Sequence, residues 1–166
     1  VQTTHPGKNS VDEDRASSKL VRGSAIAAMY TVLTLAFEPI SFGPVQIRVA
    51  ESLTVLPILV DEAVAGLFVG CLLANLLGGL GFVDVFFGSM TTLAAAWGTR
   101  FWRESWLAYA CPIVLNALVV GGYLSWIYHN PFWFTAPSIL IGELIAVVGL
   151  GVPLVHALRG QIPGGR

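Results

Sequence analysis

From residue 20 onward, long apolar runs alternate with short polar or glycine- and proline-rich breaks. A helix needs about 20 apolar residues to cross a hydrocarbon layer of roughly 30 Å. Six stretches approach that length: Leu20–Phe37, Val45–Val60, Ala63–Leu77, Phe82–Gly98, Trp106–Tyr128 and Phe134–Leu158. Between them lie EPISFGP, the pair Asp61-Glu62, GGLG, RFWRES and HNPFW. The second span is short and carries Arg48 and Glu51. The sixth contains Glu143, and its breaks at Gly149 and Gly151–Pro153 are expected to kink it.

Composition sharpens this pattern. Of 166 residues, 55% are apolar and 11% charged, where about 25% charged is usual for a soluble domain. A chain this small cannot hide so much apolar surface behind so few charges, so lipid must cover the rest. A disulfide scaffold, a disordered chain and a nucleic-acid binder are all excluded, the last because the net charge is −1. Lys8, Asp12, Glu13, Asp14, Arg15 and Lys19 crowd residues 1–19, which have no aromatic residue and read as a disordered cytoplasmic tail. No small-residue cleavage site follows the first apolar run, so that run is expected to be a span rather than part of a signal peptide. Residues 160–166 form a second, breaker-rich cytoplasmic tail. Residues 20–159 are expected to be one all-α domain, an integral membrane bundle of six transmembrane helices.

Lysine and arginine near span ends set orientation. Arg15, Lys19 and Arg22 precede the first span, Arg100 and Arg103 follow the fourth, and Arg159 and Arg166 follow the sixth. Six crossings put these groups on one face, with both termini in the cytoplasm. Asp61-Glu62 falls on the same face with no basic residue near it in sequence.

Ionisable groups inside a membrane are costly and need a partner or a task. The candidates are Arg48, Glu51, Asn75, Asp84, Asn116 and Glu143. With a rise of ~1.5 Å per residue, Arg48 and Glu51 fall one and two turns below the outer start of their span, and Glu143 roughly 13 Å below its own. Asn75 and Asp84 flank the GGLG turn, and Asn116 is near mid-span. Five of six spans thus send a polar group toward the outer half, which suggests a pocket open to the outside. Each residue also has a plainer reading. Arg48 and Glu51 could neutralise each other at i,i+3, Asp84 could cap its helix, and the two asparagines could join helices. Glu143 stands alone, so a structural role would need a partner from another span, such as Arg48.

Aromatic residues gather at the outer mouth, among them Phe37, Phe42, Tyr123, Trp126, Tyr128, Phe132, Trp133 and Phe134. They form either an interfacial belt or a stacking surface for a flat ring, with HNPFWF as a lid. Small residues four apart, Gly23/Ala27, Ser24/Ala28, Gly66/Gly70 and Ala94/Gly98, allow close helix approach, either inside the bundle or against an external helix. There is no GxxxxGK[ST] loop for ATP and no metal-binding or catalytic constellation; Cys71 and Cys111 lie in apolar spans as small hydrophobes. No cofactor and no enzymatic activity are expected. A six-helix unit with an outer pocket and no engine reads as part of a larger machine.

The stretches FEPISFGPVQIRVAESLTVLP (Phe37–Pro57), GLFVGCLLANLLGGLGFVDVFFGSMTTLAAA (Gly66–Ala96), PIVLNALVVG (Pro112–Gly121) and Gly142-Glu143 resemble the QueT family, over about Leu20 to Arg159. These are substrate-binding S components of energy-coupling factor importers, associated with queuosine precursors. The resemblance implies six helices, an outer cavity covered by loops, and a bacterial cytoplasmic membrane location. It also implies a transmembrane coupling protein and two ATPase subunits as partners, docked at small residues of the first helix: here Gly23, Ser24, Ala27 and Ala28, with Ser24 replacing the usual first alanine. A 7-deazaguanine presents two adjacent donors beside an acceptor. Glu143 or Glu51 could take the donors, Asn75 or Asn116 the carbonyl, and Phe42, Trp133 or Phe134 could stack the ring. An aminomethyl cation could meet the other carboxylate or Asp84. The rivals are an S component for another vitamin-like molecule and a self-sufficient proton-coupled carrier relaying through Glu143.

Overall fold

A computed structural model describes residues 8–38, 48–79 and 81–161, and the side chains from residue 13 onward. Among the described residues the fold is entirely helical. We number the helical rods α1 (Lys8–Ala36), α2 (Val49–Ile58), α3 (Ala63–Leu77), α4 (Asp84–Gly88 continuing into Ser89–Phe101), α5 (Leu107–Tyr128) and α6 (Phe132–Leu158). Two of them, α5 and α6, are long and apolar enough to cross a membrane, while α2 and α3 are shorter apolar helices. The helix α1 starts at Lys8, well before the expected first span. Pro6-Gly7 is the last breaker before Gly23, so nothing in residues 8–22 stops a helix. Residues 13–19 are exposed along it.

The centre of the fold is α2. It is a ten-residue 3₁₀ helix, far longer than the usual few residues, and Ala50 through Ile58 are all buried. One side of it (Ala50, Leu53, Leu56) packs with Ile26 and Tyr30 of α1, Leu67 and Cys71 of α3, and Ala96 of α4. Val55 and Ile58 instead meet Ala108 and Ile113 of α5 and Val147 and Val155 of α6. Small residues bring the helices close. A Cβ on Gly66 would lie 2.5 Å from the Gly23 carbonyl oxygen, and one on Gly70 would lie 2.8 Å from that of Ala27. The pairs Gly23/Ala27 and Gly66/Gly70 therefore form the internal α1–α3 seam. Ser24 and Ala28, one position on, are exposed. The four expected docking residues thus split, with Ala27 buried and unable to meet an external helix as placed.

Three rods change their winding. Asp84–Gly88, Asn116–Val120 and Ile145–Gly151 are π-helical, a form found mostly as single turns, frequently at functional sites. One proline inside a helix has local compensation too. Pro112 has no N–H to offer the Ala108 carbonyl, and Thr99 of α4 donates to that oxygen at 2.9 Å. The expected break at Gly149 and Gly151–Pro153 is thus a widened turn inside a continuous helix. Between α3 and α4, Gly79 and Gly81 have φ of +65° and +89°, which only glycine adopts readily.

Candidate functional site

Asn116 opens the π turn of α5 and points its side chain into the interior, 4% exposed. Its amide nitrogen donates to Glu143 Oε1 of α6 at 2.9 Å and to Glu51 Oε2 of α2 at 3.3 Å. The other oxygen of Glu51 accepts the Tyr30 hydroxyl of α1, whose ring is fully buried. One amide thus joins two buried carboxylates from separate helices, and the partner of Glu143 is Asn116. Arg48 precedes α2, is buried, and lies within electrostatic reach of Glu51, Asp84 and Glu143.

A second polar group adjoins the α3–α4 turn. Asn75, with no exposed surface, donates to the Asp84 backbone carbonyl at 3.0 Å. The Asp84 carboxylate makes no cap for its helix; it accepts the Tyr123 hydroxyl of α5 at 2.8 Å. Gly88 leaves room here, since a Cβ on it would lie 3.0 Å from Asn75 Nδ2 and 3.3 Å from the Tyr123 oxygen. Thr92 donates to Cys71 Sγ at 3.3 Å behind the cluster. Every rod contributes a side chain to one or other group.

Buried polar atoms are normally satisfied, and each exception calls for an explanation. Among the described residues, Asn75 Oδ1, Ser89 Oγ and Glu143 Oε2 are buried with no hydrogen-bond partner. All three can accept a hydrogen bond, and two of them belong to the side chains just described. The Asn75 and Glu143 oxygens can only accept, so groups bearing N–H would answer them, while the Ser89 hydroxyl can also donate.

Two carboxylates elsewhere are answered by arginines. Asp61, between α2 and α3, meets Arg100 Nε at 2.9 Å and Arg103 at 2.7 Å, and Glu62 meets Arg22 at 3.4 Å. The acidic pair that lacks a basic neighbour in sequence has three in space. Slight burial works against ionisation of Asp61, but the Arg103 hydrogen bond and the charges of Arg100 and Arg103 outweigh it and hold its carboxyl below the usual range.

A family model described as QueT transporter matches residues 20–160. The chain belongs to the QueT transporter family. Within curated proteins this QueT-family chain is similar to the queuosine precursor transporter QueT of Lactococcus lactis subsp. cremoris (strain MG1363). The two are 24% identical over 144 residues, covering 77% of this chain and 85% of that one. No solved structure matches the chain significantly.

Set against the sequence reading, the structure brings Glu51, Asn116 and Glu143 into one hydrogen-bonded chain and Asn75 and Asp84 into the adjoining group. Trp133 and Phe134 are 80% and 62% exposed and turn most of their surface outward, so neither walls the cluster as a stacking ring would. Phe42 lies outside the described residues. Tyr30 was missed because a lone tyrosine in an apolar run carries no positional signal. Tyr123 was grouped with the mouth aromatics, whereas its hydroxyl belongs to Asp84. A tyrosine four turns from the charged end of an apolar helix, at the level of other polar positions, was the available clue.

Proposed function

We propose that this QueT-family protein is the substrate-binding membrane subunit of an ATP-driven importer of the energy-coupling factor type. It captures a queuosine precursor, a 7-deazaguanine base or queuine, from outside. The observation that carries this reading is the bridge Glu51–Asn116–Glu143, in which Glu143 keeps an unanswered oxygen. The guanine edge offers N1–H and a 2-amino group side by side, and a carboxylate accepts such a pair with both oxygens. Glu143 reads that edge, with Glu51 and Arg48 behind it. Asn116 or Asn75, turning an amide N–H from its present acceptor, meets the carbonyl, and Phe42, Trp133 or Phe134 stacks on the ring. The printed function of the Lactococcus relative supports the same substrate class.

The bundle crosses the membrane six times with both termini in the cytoplasm. In support, Arg22, Arg100 and Arg103 gather at one end of the structure, as the positive-inside bias requires. Ser24 and Ala28 face outward on α1. Beside them a groove of about 450 Å³ runs between α1, α2 and α6, walled by Ala25, Met29, Leu53 and Leu154. The coupling protein docks there, and its two ATPases supply the energy that this chain has no motif to provide.

Titration of the purified protein with 7-deazaguanine bases, then with riboflavin, thiamine and biotin, tests the substrate. Binding of a vitamin and no deazaguanine overturns the reading. Uptake in vesicles with and without the ATPase module tests the coupling, and full uptake without it would make the protein a carrier in its own right.

A further inference from the structure

Tyr30 stands at the anchored end of a buried polar chain. Its ring packs with Ala50, Leu53, Leu67 and Cys71 in the core, and its backbone carbonyl accepts the Thr34 hydroxyl at 2.9 Å. Gly70 lets α3 close on it, since a Cβ there would lie 2.8 Å from the Tyr30 Cβ. Glu143 stands at the other end, with Oε2 unpartnered. The bonds between them run from Tyr30 to Glu51, from Asn116 to Glu51 and from Asn116 to Glu143.

The direction of these bonds is forced. A tyrosine hydroxyl has one hydrogen, and here Glu51 Oε1 receives it. Ionised carboxylates only accept, so the Asn116 amide turns its nitrogen, not its oxygen, to both of them. A free glutamate side chain has several rotamers to lose, and a group held in place before binding gives tighter binding than one that must first be ordered. Without the Tyr30 hydroxyl, Glu51 has one donor fewer and competes with Glu143 for the Asn116 amide. The hold on Glu143 then slackens.

Resting on the assignment of Glu143 to the ring edge, we propose that Tyr30 is a positioning residue for cargo binding, which through Glu51 and Asn116 holds Glu143 in place for the base. Asn116 then serves Glu143 rather than the ring carbonyl. Isothermal titration of the full-length protein with 7-aminomethyl-7-deazaguanine is expected to show about 5-fold weaker binding in Tyr30→Phe, which keeps the ring in the core. Thr31→Val removes the next hydroxyl of α1, which bonds the Ala27 and Gly70 carbonyls and lies outside the chain. It is expected to lower the melting temperature and leave affinity unchanged. In an Asn116→Ala background, Tyr30→Phe should change affinity by less than about 2-fold, because the amide that carries its effect is gone. Unchanged affinity in Tyr30→Phe overturns the proposal. So does an equal loss in Thr31→Val, or a loss in Tyr30→Phe that persists in full without Asn116. Failure of the wild-type protein to bind any deazaguanine overturns the substrate reading instead. The chain is then tested by melting temperatures in detergent, where additive losses for Tyr30→Phe and Asn116→Ala overturn it.

Discussion

At the arginine-rich end of the molecule, Asp61 and Glu62 meet three guanidinium groups at the surface. Toward the other end, Glu51, Asp84 and Glu143 are buried and held by hydroxyls and an amide. The same functional group thus serves two purposes. A carboxylate matched by arginines at a helix junction ties loops together and leaves nothing for a ligand to satisfy. Buried carboxylates that accept from hydroxyls and an amide keep acceptor capacity in reserve, at a cost to stability.

Glu143→Gln tests this contrast most severely. It keeps the shape but turns an acceptor into a donor facing the donors of the base, and about 100-fold weaker binding is expected by titration. Unchanged affinity would show that Glu143 does not read the ring. Next in size is Gly66→Ala, which forces a methyl against the Gly23 carbonyl. It should cost about 1–3 kcal/mol of stability, visible as a lower melting temperature in detergent, while Gly122→Ala, with nothing within 4 Å, should be close to neutral. Asp61→Asn should cost at most about 1 kcal/mol, because the pair is half-exposed, and should leave affinity for the base unchanged; a loss of binding there would erase the distinction between the two sets. The smallest effect concerns pH. Because the Asp61 carboxyl is held low in the folded protein, its contribution is complete above the ordinary carboxylate value of about 3.9 and fades as pH falls through the lowered one. The melting-temperature gap between wild type and Asp61→Asn should therefore stay constant at neutral pH and close only in strong acid.

Much of this was legible because hydropathy and polarity obey simple rules. Apolar run lengths marked the helical rods, and the cost of buried charge singled out Glu51, Asn116 and Glu143 before any geometry was known. Depth along a helix can be counted from sequence, but facing direction cannot when nearly every residue is apolar. That is why Gly23/Ala27 and Ser24/Ala28 looked equivalent, although one pair packs on α3 and the other is exposed. The outward turn of Trp133 and Phe134 was illegible for the same reason. The 3₁₀ winding of α2 has no sequence signature, since burial on all sides leaves no periodicity to read. Salt bridges such as Asp61–Arg103 join residues far apart in the chain, and only the packing of α4 against its neighbours brings them together.

The wide turn at Asn116–Val120 also sets a phase. Each residue of an α-helix advances about 100° around the axis, so the insertion that such a turn represents rotates everything beyond it relative to everything before. Asn116 and Tyr123 face their separate partners, Glu143 and Asp84, across that offset. Wound evenly, the seven residues from Asn116 to Tyr123 would close about two full turns and bring both side chains to one face; the wide turn holds them apart. The two polar groups are kept in mutual register by one surplus residue of hydrocarbon.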